Sequence, residues 1–458
     1  MKGSLIVLSY GSCKSKEVCF MLEKLKRILL EFQERSLPAI THRDTVVPII
    51  EGKATVVTGM RRVGKTSLCR QMMWNLLESG LDKCQLLYLN FEDDRLTGFR
   101  LEDCQLILDA YYSLWPDNRG KECYFFFDEI QNVYSWEHFV RRLLDTTDVH
   151  VILTGSSSKL LTSEIATAMR GRSVNVELLP YSFGEYLRCR NVFDELPRQL
   201  SDDTIARLRH GMEEFFDIGG FPEIYQLDDA MTRGEILQEY SDMVVLKDVV
   251  ERHSVGNITA LRRLLAYLYN NASQKFSVTA FWKVLTRGMQ VKCSKNDLFE
   301  FIEYLDDACI LYRTELHTSS EKAKMVNPDK VYLVDIGLIR AMADDPTANR
   351  GWLLENLVYL HLRRGKCQVS YYNTSDGKEV DFHVADRQNH RRCLVQVCWS
   401  LNGGETMKRE IAPLLKAGEE LGIDRLLVVT WDDERKLDGG IQTVPVWKFL
   451  AGYEPIFR

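Results

Sequence analysis

Two glycines with four residues between them, the second followed at once by a lysine and a threonine, Gly59-Met60-Arg61-Arg62-Val63-Gly64-Lys65-Thr66, form the segment of this chain whose spacing most clearly suits chemistry. They match G-x-x-x-x-G-K-[ST] without a mismatch. Glycines let a backbone wrap closely round phosphate oxygens, and the N–H groups of such a loop, with a helix N-terminus behind them, attract the anion. Lys65 would bring a point charge to the β and γ phosphates of a nucleoside triphosphate, and the Thr66 hydroxyl would ligate magnesium. Residues 59–67, closing with Ser67, are the expected contacts to ATP. The elements needed to aim such a loop are present: an apolar strand, ATVVT, precedes it and a helix-compatible stretch, SLCRQMMWNLLES, follows.

Further on, Tyr124-Phe125-Phe126-Phe127-Asp128-Glu129 is an apolar strand ending in two carboxylates. Asp128 at that position would reach the magnesium ion, and Glu129 would polarise the attacking water, which favours hydrolysis over mere binding. The next apolar run, HVILTGSSS, ends in hydroxyls, so Thr154 or Ser156 could sense the γ-phosphate. AMRGRSVNVELLP then sets Arg170 and Arg172 ahead of a fifth strand, where ring-forming ATPases offer an arginine to a neighbouring subunit's nucleotide. A solvated basic turn is the plain alternative for that pair.

In order, GMRRVGKT, YFFFDEIQ, TGSSSKLL, MRGRS, PYSFGEYL and GGFPE resemble a widespread family of prokaryotic AAA+-type ATP-binding proteins, from about residue 21 to the end. The resemblance implies an ATPase with ATP and Mg2+ as its ligands and a C-terminal domain of unknown function.

Five short apolar runs alternate with helical stretches through residue 180, as in a doubly wound α/β parallel sheet. The expected organisation is a helical lead over 1–40, a P-loop AAA+-like ATPase domain over 41–180 and a helical lid and linker over 181–254. A winged-helix-like domain over 255–345 and a restriction-endonuclease-like domain over 346–458 follow. Gly219-Gly220-Phe221-Pro222 reads as a turn or hinge within the lid. Between Val255 and Asn296 stand seven Lys or Arg and no acid. In a chain of net charge −6 that stretch is the place to expect DNA contact, with Ser294-Lys295-Asn296 opening a recognition helix. Solvated charge on a protein-binding or lid module reads equally well.

The terminal region resembles the nuclease-like fold in offering Glu355, Asp381 and Gln396 as ligands for a divalent metal. Cys398 stands where that fold's lysine belongs, with Lys378 the nearest substitute, so an inactive descendant is expected.

The 458 residues, 45% hydrophobic and 27% charged, suit an ordinary globular chain. No run approaches a membrane span, Leu5–Tyr10 is too short for a signal peptide, and the twelve cysteines fall singly, as in a reducing cytoplasm. The leading expectation is a homo-oligomeric ATP-driven motor or switch acting with DNA and away from membranes. An ATP-regulated nuclease and an ATP-controlled protein-binding module are the alternatives.

Overall fold

A computed structural model describes residues 5–155, 169–345, 349–402 and 404–457 in two compact units. The first takes in the chain up to Leu178 apart from Met60–Val63; the second takes in those four residues and everything from Leu179.

In the first unit, β1 (Ala54–Thr58), β2 (Leu86–Asn90), β3 (Cys123–Asp128), β4 (Val149–Gly155) and β5 (Ser173–Glu177) form one sheet in the order β2-β3-β4-β1-β5. Every neighbouring pair is parallel. Such strands need cover on both faces, and the aromatic run of β3 divides accordingly. Phe125 and Phe127 enter one core with Leu25, Ile28 and Leu29 of helix α1 (Leu5–Glu34) and Ile107 of α3 (Cys104–Leu114). Phe126 enters the opposite core with Met72 and Met73 of α2 (Lys65–Glu78). Helix α4 (Trp136–Thr146) adds Phe139 and Leu143 to the first core. Because all five strands run one way, their C-terminal ends share one edge of the sheet. Because β4 lies between β1 and β3, the end of β4 stands between the glycine loop and Asp128.

The second unit begins with helices Phe183–Cys189, Asp202–Ile218 and Ala230–Met243, and the last runs into a wide π-helical turn, Val244–Glu251. The junction carrying Gly219-Gly220 is a packed one. A Cβ on Gly337 would come within 2.0 Å of the Ile218 carbonyl oxygen, and one on Gly219 (φ 86°) within 2.3 Å of Asp335 Oδ1. The Gly220 N–H donates to Asp335 Oδ2 at 2.6 Å. The same carboxylate caps the helix Ile336–Met342 by accepting from Leu338 N at 3.0 Å. The glycines thus make a turn, as the sequence suggests, but one clamped rather than free to swing.

Next come Ile258–Asn270, β6 (Lys275–Phe276), Val278–Lys283, Lys295–Asp307, β7 (Leu311–Thr314) and β8 (Asp329–Leu333), with the strands antiparallel in the order β6-β8-β7. Ser294 and Asp297 cap Lys295–Asp307 reciprocally, so that helix starts where the sequence places it. The terminal sheet has the order β13-β12-β11-β10-β9. Its strands are β9 (Gln368–Asn373), β10 (Glu379–Asp386), β11 (Arg391–Val397), β12 (Leu426–Thr430) and β13 (Gln442–Pro445). The β10–β9 register shifts between Val380 and His383, a bulge that re-aims Asp381.

His383, 3% exposed, stacks on His317 with ring centroids 3.7 Å apart. Burial first, then His317 and Arg392, lower its pKa to about 4 from an ordinary 6.5. Below pH 6.5 the unfolded chain takes up a proton that folded His383 refuses, so the stability present above 6.5 drains away as pH falls towards 4. By pH 5 the loss from this residue is expected to be about 2 kcal/mol. Urea midpoints at pH 7.5 and 5.0 check it: His383→Phe should narrow the gap between them, and an unchanged gap would exonerate the histidine.

Candidate nucleotide site

Gly64 (φ 98°, ψ 29°) turns the chain into α2, and Gly59 holds a φ of 150°, both outside the range that side chains favour. The turn puts Lys65 and Thr66 in the first turn of α2, at the positive end of the helix dipole. Lys65, 5% exposed, donates from Nζ to the Gly59 carbonyl at 3.0 Å, and its ammonium lies 3.8 Å from Glu129 Oε1. Thr66 Oγ1 donates to Asp128 Oδ2 at 2.7 Å. A hydroxyl and a carboxylate side by side are hard oxygen donors, the set a magnesium ion takes alongside phosphate oxygens and water. Ser67 follows within α2.

Asp128 is held from three sides. Thr154 Oγ1 donates to its Oδ1, and Tyr88 OH donates to its Oδ2 at 2.8 Å. Thr154 also accepts from the Glu129 N–H at 3.0 Å. Glu129 itself sits in left-handed backbone (φ 53°), which costs a non-glycine residue on the order of 1 kcal/mol. That turn carries its side chain away from the strand direction, and Gln131 Nε2 donates to its Oε2. Thr154 therefore orients the two acidic residues; Ser156 lies outside the described residues.

Tyr88 was not singled out by its sequence, although a tyrosine inside the apolar run QLLYLNF is a signal that a polar tip is wanted there. It reaches Asp128 because β2 pairs with β3 and sets Tyr88 opposite Phe126, two residues short of Asp128. Burial first, then Asp128, push its phenol pKa up, so Tyr88 remains a hydrogen-bond donor.

Met60–Val63 group with the second unit. There Arg61 Nε donates to both oxygens of Asp248 at 2.9 and 3.1 Å, and Arg62 lies 3.6 Å from the Glu223 carboxylate. Met60 and Val63 are fully buried. Arg170 is exposed, whereas Arg172 pairs with Asp145 of α4; both line a depression with Arg141 and Arg142.

Residues 51–187 match an AAA domain family, 209–349 a domain of unknown function (DUF8612) and 350–449 another (DUF4143). The uncharacterized protein MJ1544 of Methanocaldococcus jannaschii is 34% identical, with 98% of each chain covered. An uncharacterized protein of Haemophilus influenzae is 30% identical over 82% of this chain and 93% of its own. The chain belongs to their family of P-loop AAA-type proteins. Among solved structures, the Aeropyrum pernix ORC2 protein (ADPNP-ADP complexes) is similar at 12% identity and a TM-score of 0.35, covering 74% of this chain and 92% of that one. The Aeropyrum pernix ORC1 protein in complex with DNA is similar at 13% and 0.27, covering 72% and 93%. Both are weak likenesses. No described helix is long and apolar enough to cross a membrane.

Glu355, on the helix Arg350–Arg364, and Asp381, on β10, do converge, both buried, but they converge on a lysine. Lys330 Nζ of β8 lies 2.7 Å from Glu355, 2.7 Å from Glu379 and 3.1 Å from Asp381. Lys378 pairs instead with Asp376, 3.7 Å away. Gln396 accepts from Asp381 N at 3.2 Å and donates to Glu410 at 2.8 Å. Cys398 is buried, and burial pushes its thiol pKa up to about 12. Among the described residues, no group of three or more His, Cys, Asp or Glu is disposed to hold a metal ion. The expected Glu355–Asp381–Gln396 ligand set is therefore replaced by a buried ion cluster.

Proposed function

We propose that the chain binds and hydrolyses ATP with Mg2+ and works as a homo-oligomeric switch acting on DNA. The observation that carries the hydrolytic part is Glu129, directly after the Thr66-bonded Asp128 and 3.8 Å from Lys65. Lys65 would hold the terminal phosphates, and Asp128 with Thr66 would hold magnesium. When bound, the ion spreads the charge that develops on the phosphate oxygens. Glu129 would orient the attacking water and accept its proton. Phosphate release by the purified chain, abolished in Lys65→Ala, is the test.

Arg170 supports the oligomeric part: it is exposed, while Arg172 is engaged by Asp145. If a second copy uses Arg170 on its nucleotide, activity per subunit should rise with concentration. Mixing Arg170→Ala with Lys65→Ala should restore turnover at mixed interfaces. A rate independent of concentration, from a monodisperse monomer, would exclude the arrangement.

The DNA part rests on the stretch 255–296, whose seven basic residues are all exposed. Two of them are committed: Arg262 to Asp242 at 3.5 Å and Lys275 to Glu379 at 2.5 Å. Five remain, Arg263, Lys283, Arg287, Lys292 and Lys295, the last lying over the Trp282 ring; Lys283, Arg287 and Lys292, leading up to the would-be recognition helix, are the ones to test first for phosphate contacts. Duplex DNA should be retained at low salt, and each alanine substitution among them should lower the slope of log affinity on log salt by about one. Retention indifferent to these three residues would leave a protein-binding role for the domain.

A further inference from the structure

We infer that Lys330 is the resident cation of the terminal domain: its ammonium fills the position between Glu355, Glu379 and Asp381 where a divalent ion would sit. An ammonium has three N–H donors, and here each has one carboxylate to serve. Lys330 is 3% exposed, and its backbone is pinned in mid-sheet, paired with Lys275 of β6 on one side and Thr314 of β7 on the other.

The carboxylate oxygens around it have further partners. Asp381 Oδ2 accepts from Val397 N at 2.9 Å, Glu379 Oε2 pairs with Lys275 at 2.5 Å, and Glu355 Oε1, the oxygen that meets Lys330, also accepts from Tyr332 OH at 2.8 Å. A magnesium or manganese ion would need those same oxygens at about 2 Å, which would set two positive charges within a few ångströms of each other. Ion and lysine therefore exclude one another.

A second ammonium, that of Lys275, reaches Glu379, so two cations already face the three carboxylates. For Lys330 burial is the largest influence and opposes the charge, but the surrounding carboxylates outweigh it and raise its pKa. The cluster joins β8 to the helix Arg350–Arg364 and to β10, so what resembles a catalytic carboxylate set serves as a cross-brace.

The test uses Tb3+, an oxygen-seeking ion whose emission is sensitised by a nearby tyrosine, here Tyr332, on the full-length chain. Wild type should show no emission that Asp381→Asn removes. Lys330→Ala should gain one such site, binding at least about tenfold tighter than wild type, and lose it in Lys330→Ala/Asp381→Asn. Folding of Lys330→Ala only when Ca2+ or Mn2+ is present would support the same conclusion. Should that variant fail to fold under any condition, the wild-type arm decides alone. Asp381-dependent ion uptake by wild type overturns the inference. So does Mn2+-dependent DNA cleavage by wild type that disappears in Lys330→Gln, since Lys330 would then be the ammonium of a working nuclease.

Discussion

Glu129→Gln is expected to bind ATP about as well as wild type yet turn it over at least about tenfold more slowly. The amide keeps the size of the side chain and can still bond to Gln131, but it cannot accept a proton from water. Lys65→Ala should fail earlier, at binding. Losing a charge-assisted contact worth about 1.5–3 kcal/mol weakens affinity on the order of 10- to 100-fold. Titration with a fluorescent ATP analogue and steady-state phosphate release separate the two variants. Equal turnover in wild type and Glu129→Gln would refute the hydrolytic assignment of this residue.

Gly337→Ala should be the most damaging single methyl group in the second unit. The new Cβ would lie 2.0 Å from the Ile218 carbonyl oxygen and 2.7 Å from its carbon, backbone atoms that no rotamer change can move. Relief requires opening the Gly219–Gly220 turn, which breaks the Asp335 bond to Gly220 N. We expect a loss of at least about 3 kcal/mol, equivalent to a fall in melting temperature of roughly 6–10 °C. Gly234 supplies the contrast, because its Cβ would meet nothing within 4 Å on the helix Ala230–Met243. Gly234→Ala should be neutral or stabilising by up to about 1 kcal/mol. Similar melting curves for the two variants would mean that the close approach at Gly337 is not tight.

The parallel sheet was legible because each strand is a compact apolar run bounded by polar residues, and the glycine loop because its chemistry is local. Asp128 and Glu129 were legible for the same reason, standing at the end of Tyr124–Phe127. What sequence could not give was set by neighbours distant along the chain. Thr154 meets Asp128 because β4 intervenes between β1 and β3, and Tyr88 does so because β2 flanks β3; strand order is not written in either segment. Lys330 is harder still, since it comes from a different sheet than Asp381, which is itself aimed by a bulge. A search for the missing lysine near Cys398 or Lys378 looks along the terminal sheet, whereas the occupant arrives from outside it. The glycine pair misled in another way: it signals a bend, but not whether the bend is loose or clamped.

The wide turn Val244–Glu251 makes chain length, as well as residue type, a determinant of the contact between Arg61 and Asp248. A π-helical stretch is what an α-helix becomes when it must absorb a surplus residue, and it lasts only where something holds the wider coil in place. Excising one residue ahead of the contact, such as the exposed Leu246, would let the coil relax to ordinary pitch. Every later side chain would then turn by about 100° about the axis, carrying the Asp248 carboxylate off Arg61 without altering either residue. The helix is indexed like a gear tooth: substitutions on its exposed side should be absorbed, while a change of count by one should shift everything it aims.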